Sequence, residues 1–227
     1  MTTVGFVGGG RIVEAVARLS VAAGHRAVVS DTRGPEALRD LVAELGPLMS
    51  AATGEQAAEA GDIVMVRIAL EAYRSIPVEP IAGKVVLDAC NYDPGRDGHM
   101  ADLDAGRVTS SELMQRYLRG SQLVKVFNNI PARHLRSLAR PHGAAGRSAL
   151  PIAGDDDRAK ATVIAFLDSI GYDAVDAGSL AESWRQEPGT PVYRTPYGPL
   201  SDETGTPAGA ATIRAALAAA RRDYPIT

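Results

Sequence analysis

Three consecutive glycines, Gly8, Gly9 and Gly10, follow the apolar run Val4 to Val7 and precede Ile12, Val16 and Leu19 at helical spacing. A glycine turn between a strand and a helix lets backbone N–H groups approach a pyrophosphate at the positive end of the helix. Gly8 and Gly10 occupy the first two glycine positions of the G-x-G-x-x-G fingerprint, and Val13 stands at the third, so the fingerprint is degenerate. Its context is complete: a second apolar run, Ala27 to Ser30, ends at Asp31, 21 residues beyond Gly10. That is close to the spacing of the acidic residue that takes the adenosine ribose. Asp31 and Arg33 pull in opposite directions, since a carboxylate favours ribose hydroxyls while a guanidinium favours a 2′-phosphate. The expected cofactor is NAD(H) or NADP(H).

Other side chains able to do chemistry are few. Lys125 precedes Asn128-Asn129-Ile130-Pro131-Ala132, where proline breaks an apolar strand and leaves side-chain amides at its end. Arg67 ends another apolar run, Ile63 to Val66. Cys90 and Asn91 lie just past a third, and Cys90, the single cysteine, is read as a packing residue with no base beside it. His25, His99, His134 and His142 have no metal-ligand spacing and read as surface residues; only His134 adjoins a motif. No metal site is expected.

These residues need a scaffold, and the pattern supplies one. Strands are expected at Val4–Val7, Arg26–Ser30, near Met49, Asp62–Val66, Gly83–Asp88 and Leu123–Phe127. Helices are expected between them, including Pro35–Leu45, Gly54–Ala60 and a capped Thr109–Leu118. Alternating strands and helices make a parallel sheet that binds ligands beyond its C-terminal edge. Residues 1–142 read as a dinucleotide-binding domain of the Rossmann-type doubly wound α/β class. Residues 143–227 read as a small β-α-β domain: strand Ala149–Ala153, helix Asp155–Ser169, strand Asp173–Asp176. A Gly/Pro-rich arm, Gly189–Thr206, and an alanine-rich helix, Ala208–Arg222, close the chain.

The chain has 227 residues and a net charge of −3, which gives no electrostatic case for nucleic acid. No apolar run approaches the roughly 20 residues that span a bilayer. The first strand starts too early to leave room for a signal peptide, and one cysteine forms no internal disulfide. The expectation is a cytoplasmic protein with a small-molecule partner. The small-residue face of Ala210, Ala211, Ala215, Ala216 and Ala219 suits a homodimer.

Several phrases taken together resemble one family. They are V-G-G-G-R-I near the start, D-T-R-G-P-E at 31–36, V-K-V-F-N-N-I at 124–130, P-I-A-G-D-D-D at 151–157 and G-Y-D-A-V-D-A-G at 171–178. Their order and spacing are similar to those of the NADPH-dependent reductases of coenzyme F-420, from Val4 to about Trp184. The resemblance implies direct hydride transfer between NADP(H) and a deazaflavin. It implies that Gly8, Gly9, Gly10, Arg11 and Ile12 cradle the pyrophosphate. Ser30, Thr32 and Arg33 would grip the 2′-phosphate, and Asn128, Ile130, Pro131 and Ala132 would line the ring-stacking space. Three positions depart from the pattern: Val13, Asp31 and Arg67. Val13 should hold the first helix slightly off the sheet, and Arg67 could meet a phosphate or an acidic acceptor. Two other readings stay open. Lys125-Val-Phe-Asn128 also resembles the segment in which β-hydroxyacid dehydrogenases use a lysine acid/base, and an imine or carbonyl reductase could use Lys125 likewise. The other is a dinucleotide-binding protein without turnover.

Overall fold

The structure, a computed structural model, describes residues 1–222, so the last five residues of the expected 143–227 domain lie outside the described residues. Eight strands form one sheet in the order β3-β2-β1-β4-β5-β6-β7-β8. They are β1 (Thr3–Gly8), β2 (Arg26–Val29), β3 (Met49–Ala51), β4 (Ile63–Arg67), β5 (Val85–Asp88), β6 (Gln122–Lys125), β7 (Ala149–Gly154) and β8 (Asp173–Asp176). The first six are parallel in the 3-2-1-4-5-6 order of the doubly wound dinucleotide fold.

The crossovers carry α1 (Arg11–Ala22), α2 (Arg39–Leu45), α3 (Gly54–Ala60), the single turns α4 (Val78–Ile81), α5 (Pro94–Asp97) and α6 (Ala101–Asp104), and α7 (Ser110–Tyr117). Then follow α8 (Ala132–Ser137), α9 (Asp157–Ser169) and α10 (Ala210–Ala219). Local chemistry sets several of these boundaries. Thr53 with Gln56, and Thr109 with Glu112, form reciprocal capping boxes at the starts of α3 and α7. Gly5 brings α3 onto the sheet, since a Cβ there would stand 2.0 Å from the Ala57 carbonyl oxygen.

The expected β-α-β unit forms as β7-α9-β8 and is hydrogen-bonded onto the same sheet. β7 runs antiparallel to β6, pairing Val124 with Gly154 and Lys125 with Ala153, while β8 is parallel to β7. One apolar core joins both halves of the chain, from Phe6, Val16 and Leu135 to Phe166, Tyr172, Tyr197 and Ile213. The opposite face of the sheet holds a second core around Val64, Leu70, Ile81, Met114 and Leu123.

Most elements fall within two residues of the sequence pattern, and the main differences from it are four. A 3-10 turn, Pro35–Leu38, precedes α2; β6 stops at Lys125; α5 interrupts the expected 91–98 loop; and α10 is shorter at both ends. The 189–206 arm is an ordered wrap. The Arg194 N–H donates to the Asn129 carbonyl at 2.8 Å, and the Tyr197 hydroxyl donates to the Ala149 carbonyl at 2.9 Å. No helix among the described residues is long and apolar enough to cross a membrane.

Candidate functional site

The parallel register brings the ends of four strands to one edge, Gly8 opposite Arg67, Val66 opposite Asp88, and Asp88 opposite Lys125. The three glycines after β1 have three different tasks. Gly8 (φ 104°) lies against β4, where a Cβ would meet the Arg67 carbonyl oxygen at 2.1 Å. Gly9 faces Asp31, whose Oδ2 would be 2.9 Å from its Cβ. Gly10 (φ 99°) opens onto free space and begins α1 with no side-chain cap. The first N–H groups of α1 are therefore uncapped at an open glycine cradle, with Arg11 exposed and Ile12 half-buried. This fits the pyrophosphate of a dinucleotide. Val13 is buried in the core beneath the turn.

The expected adenosine side differs from the sequence reading at Ser30 and in the Asp31–Arg33 pair. Ser30 is buried; its hydroxyl donates to the Phe6 carbonyl at 2.9 Å and accepts the Gly8 N–H at 3.1 Å. It shapes the glycine turn from within, whereas Thr32 is exposed. Asp31 and Arg33, read as opponents, bind each other: the Arg33 N–H and Nε reach Asp31 Oδ1 at 2.9 Å, and its NH2 reaches Oδ2 at 3.1 Å. These bonds, the guanidinium's first, hold the Asp31 carboxyl below its ordinary pKa. Arg67, half-buried at the end of β4, donates to the Ile68 carbonyl at 3.3 Å.

At about 4.8 Å per strand, β6 lies roughly 14 Å from β1 along the edge. The helix α8, which begins at Ala132, packs against α1. Phe127, fully buried, takes a left-handed conformation (φ 67°) that a non-glycine residue rarely adopts. It turns the chain out of the sheet into Asn128. The Asn128 amide donates to Asn91 Oδ1 at 2.9 Å and to the Gln186 carbonyl at 2.7 Å, and Asn91 donates back to the Asn128 carbonyl at 3.0 Å. Asn128 Oδ1 is buried without a partner, Ile130 is buried, and Pro131 and Ala132 are half-buried at the start of α8. Asn129 points away, donating to the Val192 carbonyl at 3.1 Å.

Lys125 is on a strand, is 0% exposed, and is surrounded by acceptors. Its ammonium reaches Asp88 Oδ2 at 3.3 Å, the Cys90 carbonyl at 2.7 Å and Ser110 Oγ at 3.0 Å. Three donors meet three acceptors, so no N–H remains for a substrate. Asp88 is held in turn by Ser111 Oγ at 2.7 Å and the Cys90 N–H at 2.9 Å. Burial, then the Asp88 charge, pushes the Cys90 thiol up to about 12, which removes it as a nucleophile at neutral pH. His134 corrects the surface reading: it is fully buried, and its Nε2 lies 2.8 Å from the Asp202 carbonyl, tying down the C-terminal wrap. Among the described residues no cluster of His, Cys, Asp or Glu could hold a metal. Sequence reasoning named Asn91 only by its place past a strand end and gave no role to Asp88 or Gln186. Asp88 ends an apolar strand and carried a faint signal; Gln186, in a 3-10 turn, carried none.

Residues 3–92 match the family model for NADP oxidoreductase, coenzyme F-420-dependent. The chain is 30% identical to the solved structure of hypothetical protein SMa0349 from Sinorhizobium meliloti, covering 85% of this chain and 93% of that one at a TM-score of 0.72. A protein from Arthrobacter sp. FB24, assigned as an F-420-dependent NADP-reductase, shares the fold at 23% identity, with 81% and 87% covered and a TM-score of 0.66. Metalloreductase STEAP3 of Rattus norvegicus is 28% identical over 183 residues, 79% of this chain and 34% of that protein. Protein YjhV of Escherichia coli (strain K12) is 45% identical over 53 residues, 23% of this chain. The chain thus spans 39% and 34% of the length of these two curated relatives.

Removing one partner of a buried ion pair leaves a charge without compensation. Lys125→Met should therefore cost about 3–5 kcal/mol in urea unfolding. Adding Asp88→Asn should restore more than half of the loss. A Lys125→Met variant as stable as the parent would show that the pair does not hold the sheet edge.

Proposed function

We propose that this chain, which resembles the coenzyme F-420-dependent NADP oxidoreductases, moves a hydride between NADP(H) and a small planar acceptor of the deazaflavin type. The observation that carries this reading is Lys125. The residue on which an acid/base dehydrogenase or an imine or carbonyl reductase would depend is buried in an ion pair, with every N–H in use. Hydride transfer between two rings needs no side-chain proton donor, only close alignment in a dry cleft.

NADP(H), when bound, supplies or takes up the hydride at its nicotinamide ring. The chain's own residues bind and orient it. Gly8, Gly9 and Gly10 with the N–H groups of Arg11 and Ile12 hold the pyrophosphate. Asp31, Thr32 and Arg33 stand at the adenosine end, with Ser30 shaping the turn behind them. Arg67 lies between the two ends of the crevice. Asn128, Ile130, Pro131 and Ala132 wall off the nicotinamide end, where the buried Asn128 and Ile130 exclude water. Residues 1–142 act as the dinucleotide-binding part and 143–227 as its C-terminal companion, in a cytoplasmic protein.

The test is oxidation of NADPH by the purified protein with coenzyme F-420, a flavin and a carbonyl panel as acceptors. Turnover with the deazaflavin supports the reading. Cofactor binding with no turnover on any acceptor assigns a binding protein instead. Ala132→Trp should abolish turnover while leaving binding of an adenosine 2′-phosphate fragment nearly unchanged; equal loss of both would remove Ala132 from the nicotinamide end.

Coenzyme choice rests on the Asp31–Arg33 pair. As it stands, the carboxylate repels a 2′-phosphate and also occupies the guanidinium that would bind it. Asp31→Asn removes the repulsion and frees Arg33, so NADPH should bind about tenfold more tightly, roughly 1.4 kcal/mol. Unchanged dissociation constants for NADPH and NADH would place Asp31 away from the ribose.

For assembly, Ala211, Ala215 and Ala219 are exposed along one side of α10, and we propose a homodimer that covers them. A monomeric mass by light scattering at micromolar concentration would rule it out.

A further inference from the structure

A cavity of about 610 Å³ is lined by residues that have no part in the reading above. That volume falls within the roughly 300–1,000 Å³ typical of small-molecule sites. Thr109, at the start of α7, and Pro94, at the start of α5, place it at the C-terminal edge of the sheet. None of Gly8–Ile12, Asp31–Arg33 or Asn128–Ala132 is among the residues that line it.

Its walls select a ligand class. Leu103, Val108 and Trp184 give it apolar and aromatic surface. Two carboxylates also line it, but both are engaged. Asp104 accepts the Tyr92 hydroxyl at 2.6 Å and lies 3.1 Å from His99 Nδ1; Glu187 accepts the Ser110 hydroxyl at 2.6 Å. The guanidiniums are differently placed. Among the described residues, Arg221 donates only to carbonyls of its own helix end, and Arg222 stands 5.5 Å over the Trp184 ring, neither paired with a carboxylate. A lining of apolar and aromatic surface with unneutralised guanidiniums at one side matches a flat aromatic body carrying an anionic group.

We propose that this cavity is a second small-molecule site, separate from the dinucleotide crevice, for a planar aromatic anion. The ring packs against Leu103, Val108 and Trp184, and the anionic group meets Arg221 and Arg222. The site does not depend on the hydride-transfer reading, and its test is independent of turnover.

Trp184 is the single tryptophan of the chain, so its emission reports directly on the cavity. Anilinonaphthalene sulfonate and its uncharged parent, phenylnaphthylamine, are titrated into the full-length protein while Trp184 fluorescence is followed. The sulfonate should quench saturably at one per chain and bind roughly tenfold tighter than the uncharged parent. The double variant Arg221→Glu/Arg222→Glu, altered only at exposed positions, should reduce that difference to about nothing while keeping the parent's unfolding midpoint. Saturating oxidised NADP should leave the titration unchanged. Absence of saturable quenching, equal affinity for the two probes, insensitivity to the double variant, or displacement of the sulfonate by NADP would each overturn the assignment; the last would make the cavity part of the dinucleotide crevice.

Discussion

The ammonium of Lys125 is enclosed where β5, β6 and the start of α7 meet, and the geometry of the C-terminal edge depends on how that charge is satisfied. Taking an ammonium and a carboxylate out of water costs several kcal/mol per ion unless further hydrogen bonds take up the remaining donors and acceptors. Here they do. Asp88 receives Ser111 and the Cys90 N–H, while Lys125 reaches the Cys90 carbonyl and Ser110, which in turn donates to Glu187. Between them these bonds reach the loop after β5, the start of α7 and Glu187. The pair therefore sets the path of the chain after β5, the start of α7 and the segment beyond Gln186 together. Those segments carry Asn91 and the contacts of Asn128.

The glycine turn is maintained in a comparable way from beneath. Ser30 links β1 and β2 through one hydroxyl, and Gly8 and Gly9 remove the Cβ atoms that would push β4 and Asp31 outward. Gly10 alone faces open space, so the side from which a phosphate approaches is the side that nothing fills. The Asp31–Arg33 pair sits at the rim of this turn, with the Arg33 side chain 74% exposed against 10% for Asp31. Its mobile partner is therefore the guanidinium, the one group that could swing from carboxylate to phosphate.

The C-terminal part of the chain acts as a brace. β7 and β8 cover what would be the exposed edge of β6, and an exposed edge is a hazard for association. The wrap then crosses back over α8, where His134 and Asn129 hold it through the Asp202 and Val192 carbonyls. Phe127 keeps its left-handed backbone because its ring is fully enclosed by this packing, which offsets a strain of about 1–3 kcal/mol.

Where structure depends on neighbours along the chain, the sequence by itself determined it. The strand–glycine turn–helix unit was legible because positive φ at Gly8 and Gly10 is a local demand. The helix start at Thr109 was legible at the motif level, because a capping box spans four residues. Periodicity likewise marked the parallel strands, and the glycine cradle with its acidic residue marked the candidate site. Tertiary structure decided the states of the polar side chains. Lys125 reads as a strand-edge cation, at the surface or in an ion pair, sooner than as a catalyst, and only the surrounding Asp88, Cys90 and Ser110 show which. Asp31 and Arg33 read as rivals until they bond, Ser30 reads as a ligand contact until its hydroxyl turns inward, and His134 reads as exposed until the wrap covers it. The antiparallel joining of β7 to β6 belongs with these. Apart from Asp31 and Arg33, which lie two residues apart, these partners stand 15 to 68 positions away, and no local pattern encodes what such distant groups will supply.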